Sequence, residues 1–164
     1  MKDILIINTG GTFNKIYNQK TGDMNINKNE ADLKNILKIV FKKDIKILNI
    51  IQKDSLDFDD NDRQLLSNTI KKQKQKNIII IHGTDTMNQS CEFVAKQIKN
   101  KNIVFTGAFV PYSIDAKEAV ANLSLAIGYM QACKLHEIHI AMHGLVKPHN
   151  KIKKDRQNDT FIVK

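Results

Sequence analysis

The sequence predicts an α/β fold with a three-layer, doubly wound and mostly parallel sheet, and three observations carry that expectation. The first is Asn77 to Met87, N-I-I-I-I-H-G-T-D-T-M. Its four consecutive isoleucines are too few to span a membrane and too uniformly apolar for a strand with one wet face. Such a run suits a central parallel strand covered on both sides. The second is the alternation of short apolar runs with helically spaced apolar positions, the pattern of repeated strand–helix units. The third is that apolar runs stop at small polar clusters, which sets hydroxyls and carboxylates at the carboxyl ends of strands, where open α/β sheets bind ligands.

Taken in order, Ile4 to Ile7 forms the first strand and Asn8-Thr9-Gly10-Gly11-Thr12 ends it. Adjacent glycines let the backbone turn sharply and approach a ligand closely. The corner has neither the G-x-G-x-x-G spacing of dinucleotide folds nor the lysine of a phosphate-binding loop, so a nucleotide cradle is not expected. Phe13 to Met24, rich in Asn, Lys, Gly and Thr around Tyr17, reads as a mobile loop or short hairpin over that corner, either a lid or plain surface. Leu33, Ile36, Leu37 and Val40 follow helical spacing, and Ile45 to Ile51 supplies the second strand.

Gln52-Lys53-Asp54-Ser55-Leu56-Asp57 closes that strand, with turn or capping roles open to Asp54 and Ser55. The aspartates from Asp57 to Asp62 lack the glycine and terminal glutamate of a calcium loop and read as the acidic start of a helix. That helix carries Leu65, Leu66 and Ile70 and ends in lysines. Ile78 to Ile81 is the third strand; Thr84, Asp85 and Thr86 precede a helix marked by Met87, Cys91, Val94, Ala95 and Ile98. A helix cap is the plain reading of Thr84 or Asp85.

Asn102 to Phe105 gives a fourth strand ending in Thr106-Gly107-Ala108, and a helix from about Ala116 to Cys133 buries Ala119, Leu123, Ala126, Ile127 and Met130. Ile138 to Met142 is the fifth strand. His136 and His139 stand at odd spacing on it and so face opposite ways, which makes ordinary polar contacts the expectation for them and for His143, not zinc. Lys147 to Lys164 reads as a solvated basic tail with one apolar segment, Phe161-Ile162-Val163. A strand order of 2-1-3-4-5 brings the first three polar clusters to one crevice, as in flavodoxin-like and other Rossmann-like sheets.

Length and composition bound the function. At 164 residues the chain is expected to form one domain with a sizeable core, spanning 1–164. A net charge of +9 raises nucleic acid as a partner, yet there are only two arginines, Arg63 and Arg156, and aromatics are 6%. A solvated lysine-rich surface is the expectation, with no nucleic-acid partner. The chain enters its first strand without a basic leader and signal core, and nothing approaches a membrane span, so a cytoplasmic protein with no membrane partner is expected. Cys91 and Cys133 lie in helical patterns and read as buried thiols.

Four clusters now stand together: Thr9-Gly10-Gly11-Thr12, Asp54-Ser55-Leu56-Asp57, His82-Gly83-Thr84-Asp85-Thr86-Met87 and Thr106-Gly107-Ala108. In order and spacing they closely resemble the N-terminal, catalytic domain of bacterial-type L-asparaginases, and the first and third are specific signatures of that family. The resemblance implies an amidohydrolase that converts L-asparagine, or a related small amide, to aspartate and ammonia without cofactor or metal. Thr12 corresponds to the nucleophile and Thr84 to the second catalytic hydroxyl. Asp85 corresponds to the residue that binds the substrate α-amino group and orients a lysine, and Lys154 falls where the family places that lysine. Tyr17 corresponds to a lid tyrosine. Ser55 would hold the α-carboxylate, with Gly11, Ala108 and Leu56 also lining the substrate; Leu56 stands where the family has glutamine. Backbone amides around Gly11 and Thr84 are the candidates for holding the oxyanion. The resemblance covers only the N-terminal domain; the family's smaller C-terminal domain, which completes a neighbouring subunit's site, has no counterpart in these residues. The family also implies a homodimer or higher homo-oligomer. The alternative function is a non-catalytic metabolite-binding module or subunit that keeps the fold.

Overall fold

The isoleucine run lies where its composition requires. In the computed structural model, which describes residues 3–132 and 136–164, Ile78 to Ile81 are fully buried at the middle of a six-stranded sheet. The elements are β1 (Ile4–Gly10), β2 (Lys15–Tyr17), β3 (Met24–Ile26), α1 (Ala31–Ile39), β4 (Lys46–Lys53), α2 (Asp60–Lys72) and β5 (Asn77–Ile81). There follow α3 (Met87–Gln97), β6 (Asn102–Thr106), α4 (Ala116–Ala132), β7 (Ile138–Met142), β8 (Leu145–Pro148), β9 (Ile152–Asp155) and β10 (Thr160–Val163). The sheet order is β4-β1-β5-β6-β7-β8, parallel through β7, and so has the expected 2-1-3-4-5 order of parallel strands. An antiparallel β8 is added at the edge, joined to β7 by a two-residue turn at His143 and Gly144.

Side-chain alternation divides the strands between two apolar layers. Leu5, Ile7, Ile78, Ile80, Ile103 and Phe105 face α2 and α3, packing on Leu66, Ile70, Cys91 and Val94. Ile4, Ile6, Ile79, Ile81 and Val104 face α1 and α4, packing on Leu33, Leu37, Leu123 and Met130. Burial on both faces explains why these strands read as continuous apolar runs. The α2 start is a capping box, Asp59 accepting from the Asp62 amide at 2.9 Å and Asp62 accepting from the Asp59 amide at 3.1 Å, as the acidic segment leads one to expect.

Several expectations need correction. β1 runs on through Asn8 and Thr9 to Gly10, because Asn8 and Gly10 still pair with β4, on either side of a register shift. Val40 and Leu65 follow the apolar spacing but are exposed. Phe13 to Met24 needs none: of its two expected forms it takes the hairpin, a short 3-10 turn leading into β2, which pairs with β3. His136 precedes β7 and so does not share a strand with His139. Cys91 is buried, and burial raises its thiol pKa well above the ordinary value; Cys133 lies outside the described residues.

The largest correction concerns the basic tail. β9 and β10 pair as an antiparallel hairpin, and Ile152 and Phe161 enter the same apolar layer as Ile80 and Phe105. These two buried side chains, with Asn88 donating to the His149 and Ile152 carbonyls, dock a segment that is otherwise mostly polar. Phe161→Ala is therefore expected to reduce unfolding free energy by about 3–5 kcal/mol in urea denaturation. An unchanged midpoint would return the segment to a solvated tail.

Candidate active site

Two strand ends meet here almost backbone to backbone. A Cβ on Gly11, whose φ is +76°, would lie 2.4 Å from the Gly83 nitrogen, so the corner after β1 rests directly on the corner after β5. Next to it, a Cβ on Gly83 would lie 2.6 Å from Ser55 Oγ, which brings in the corner after β4. Thr12 and Thr84 each follow one of these glycines. Close approach without side chains is what sets Thr12, Ser55 and Thr84 on adjoining turns.

Polar contacts hold the corners. Asn8 and Asn14 exchange side-chain amide hydrogen bonds at 2.9 Å, and Asn14 also donates to the Gly10 carbonyl at 2.8 Å, bracketing the turn that carries Thr12. Thr9 Oγ1 donates to the Ile81 carbonyl at 2.8 Å, tying β1 to β5 beyond the last shared ladder position. Asp54 begins a 3-10 turn by accepting from the Leu56 amide at 3.2 Å and pairs with Lys15 at 2.6 Å. The turn role expected of Asp54 therefore holds. Ser55 is fully buried, and its Oγ accepts from the Thr86 amide at 3.4 Å.

Neither Thr84 nor Asp85 caps α3. Thr86 occupies the N-cap position, and its hydroxyl donates to the Ser55 carbonyl at 2.7 Å. The hydroxyl of Thr84 instead accepts from Lys154 Nζ at 2.9 Å, and the same nitrogen reaches Asp85 Oδ1 at 3.1 Å. Lys154 is only 14% exposed, and its Nζ lies 4.5 Å from the centroid of the Phe109 ring. A flexible side chain thus has a hydroxyl, a carboxylate and an aromatic face around its head. Among the described residues, no group of three His, Cys, Asp or Glu is arranged to hold a metal ion.

Two features were missed from sequence. Arg156 forms a second ion pair with Asp85 Oδ1 and reaches the Asp85 carbonyl at 3.3 Å. Its only sequence signal is that it is one of two arginines and lies two residues beyond Lys154. Phe109, one residue past the fourth polar cluster, gave no signal at all. Of the remaining expected residues, Leu56 and Tyr17 are exposed, and the Ala108 side chain is buried with Ile4, Phe13 and Ile81. The Gly11 amide is not free to hold an oxyanion, because it donates to the Lys53 carbonyl at 3.0 Å.

A family model described as asparaginase, N-terminal, matches residues 3–161. The chain belongs to the asparaginase family. No curated protein sequence matches it. The thermostable L-asparaginase from Thermococcus kodakarensis is similar at 22% identity and a TM-score of 0.84, over 99% of this chain and 51% of that one. A structure described as a probable cytoplasmic L-asparaginase from Campylobacter jejuni is similar at 25% identity and a TM-score of 0.82, over 98% of this chain and 52% of that one. This asparaginase-family chain thus spans about half the length of the chains it matches. No helix among its described residues is long and apolar enough to cross a membrane.

Beneath the site, His82 is fully buried against Phe58 and Phe105, with ring centroids at 4.7 and 5.8 Å. Its Nδ1–H donates to the Gly83 carbonyl at 2.7 Å. Burial lowers its pKa from 6.5 to about 4, against the opposing pull of that carbonyl. The unfolded chain therefore takes up this proton first as pH falls, so stability present above pH 6.5 is lost progressively toward pH 4. The loss is expected to be about 3 kcal/mol, and His82→Gln removes that part of the pH dependence in denaturant titrations. Gly11→Ala is expected to destabilise by well over ~1 kcal/mol, whereas Gly128→Ala, on an open face of α4, stabilises by about 0.5–1 kcal/mol. Equal effects of the two substitutions would contradict the close approach.

Proposed function

We propose that this chain is the catalytic half of an amidohydrolase that converts L-asparagine, or a related small amide, to aspartate and ammonia. The observation that carries the reading is Lys154 Nζ bonded to both Thr84 and Asp85, on the strand end that adjoins the Thr12 turn. Thr12 attacks the amide carbon, and its hydroxyl proton must leave as the bond forms, because a threonine is a weak nucleophile at neutral pH. In this reading Lys154 works as the neutral amine: Thr84 takes the Thr12 proton while passing its own hydroxyl proton to Lys154 Nζ, and the pair then returns a proton to the departing nitrogen. Ammonia leaves an aspartyl ester on Thr12. Water then attacks that ester, giving aspartate and restoring the hydroxyl.

Asp85 holds Lys154 in place and receives the substrate α-ammonium, while Ser55 addresses the α-carboxylate from the adjoining corner. Amides around Thr84 remain the candidates for the oxyanion, each such donor contributing ~3 kcal/mol. Tyr17, exposed on the β2–β3 hairpin, is positioned on a segment able to act as a lid. A cytoplasmic homo-oligomer acting on a small amide completes the reading.

One observation favours a second reading. Arg156 pairs with the carboxylate that would receive the α-ammonium and brings a second cation to the site, as suits a subunit that holds an acidic metabolite without turnover. Ammonia release separates the two. Purified chain incubated with asparagine and glutamine is expected to release ammonia, Lys154→Met to lower kcat by about 100-fold or more, and the Thr12→Val, Thr84→Val double variant to release none. Thermal stabilisation by aspartate with no ammonia above the double variant would support the binding reading instead.

A further inference from the structure

His143 does more than an ordinary polar contact. It occupies the turn between β7 and β8 at φ 49°, followed by Gly144 at φ 79°. Two-residue turns with both φ angles positive favour asparagine or glycine at the first position, so a histidine there needs its own explanation. The ring supplies it. With Glu118 already an acceptor for two backbone amides, the network assigns the tautomer in which Nε2–H donates to Glu118 Oε1 at 2.9 Å and Nδ1 accepts from the Thr160 hydroxyl at 3.0 Å. The imidazole face stacks on Phe109, with centroids 5.1 Å apart and planes at 28°.

Glu118 in turn fixes the Phe109 loop. Its carboxylate accepts from the Phe109 amide at 2.9 and 3.1 Å and from the Val110 amide at 2.9 Å. Asn122 joins both partners, donating to Glu118 at 3.3 Å and accepting from the His143 amide at 2.9 Å. Phe109 lies under Lys154 Nζ and packs edge-on against Phe161, which pairs with Lys154 across the β9–β10 hairpin. Thr160, the hydroxyl held by His143, pairs with Asp155 next to Lys154. One glutamate–histidine pair therefore holds both the ring beneath the lysine head and the strand beside its backbone.

We propose that Glu118 and His143 are positioning residues for Lys154, acting through Phe109 and β10. A lysine stem has many rotamers, and proton transfer to or from Thr84 needs its head at one place. The inference rests on the amidohydrolase reading for its kinetic consequence, but not for its structural one. A purely structural reading, in which Glu118 only satisfies loop amides at the start of α4, predicts lost stability with no specific effect at Lys154.

The test is competitive lysine acetylation of the folded protein, with Lys154 labelling read by peptide mass spectrometry against exposed Lys153, alongside kcat and KM for asparagine. His143→Asn keeps a residue that tolerates the turn and removes the ring; Thr160→Val removes only its Nδ1 partner; Glu118→Ala removes the loop anchor. Lys154 labelling relative to Lys153 is expected to rise at least threefold in His143→Asn and in Glu118→Ala, and less in Thr160→Val. The kcat is expected to fall about tenfold in His143→Asn with KM within twofold, and Glu118→Gln to recover part of the loss seen in Glu118→Ala. If Glu118→Ala does not fold, the His143 and Thr160 variants decide. Unchanged Lys154 labelling in folded His143→Asn would overturn the proposal. Increased labelling in a wild-type background that releases no ammonia would keep the positioning role and reject the amidohydrolase reading.

Discussion

The arrangement depends on the contact between Gly11 and Gly83. With both side chains absent, the end of β1 lies on the end of β5 at a distance that no Cβ allows, and Ser55 at the end of β4 closes against the other side of Gly83. Three strand ends are thereby drawn together at the carboxyl edge of the sheet. Thr12 and Thr84, each next to one of these glycines, and Ser55 are set on adjoining turns. The parallel sheet supplies the directions, since β4, β1 and β5 all run toward this edge. Reversing any one of them would carry its polar cluster to the opposite end.

The lysine reaches that edge by another route. Lys154 is separated from Thr84 by 70 positions in sequence and arrives on a hairpin that is not part of the main sheet. Ile152 and Phe161 dock the hairpin into the apolar layer, and Phe109, Thr84 and Asp85 hold the lysine head. Core packing and the site are thus linked through one short antiparallel pair. Arg156, at the start of the hairpin turn, adds a second cation to Asp85 and makes that carboxylate the most contested group at the site.

Much of the fold was legible because its signals are local. Ile78 to Ile81 announce a doubly covered strand, the helices from 31, 60, 87 and 116 follow from apolar spacing, and a 2-1-3-4-5 order is one that lets the first three polar clusters converge. The corners after β1 and β5 were legible as glycines beside hydroxyls, Gly10-Gly11-Thr12 and Gly83-Thr84, and the corner after β4 as Asp54-Ser55. The tail was not. Composition reads Lys147 to Lys164 as solvated, since the burial of Ile152 and Phe161 depends on a docking surface supplied by distant strands. For the same reason Val40 and Leu65 keep the apolar period and still face solvent. Arg156, Phe109, Glu118 and His143 escaped because each takes its meaning from a partner far away in sequence, and no spacing rule joins them.

The proposed reaction puts the acyl group of the substrate on Thr12. Acid quenching during turnover of asparagine, followed by peptide mapping, measures it most directly. An aspartyl ester on the peptide carrying Thr12, accumulating before steady state, is the predicted result. Ammonia release with the adduct on Thr84, or with no adduct on any threonine under conditions that trap esters, would contradict it.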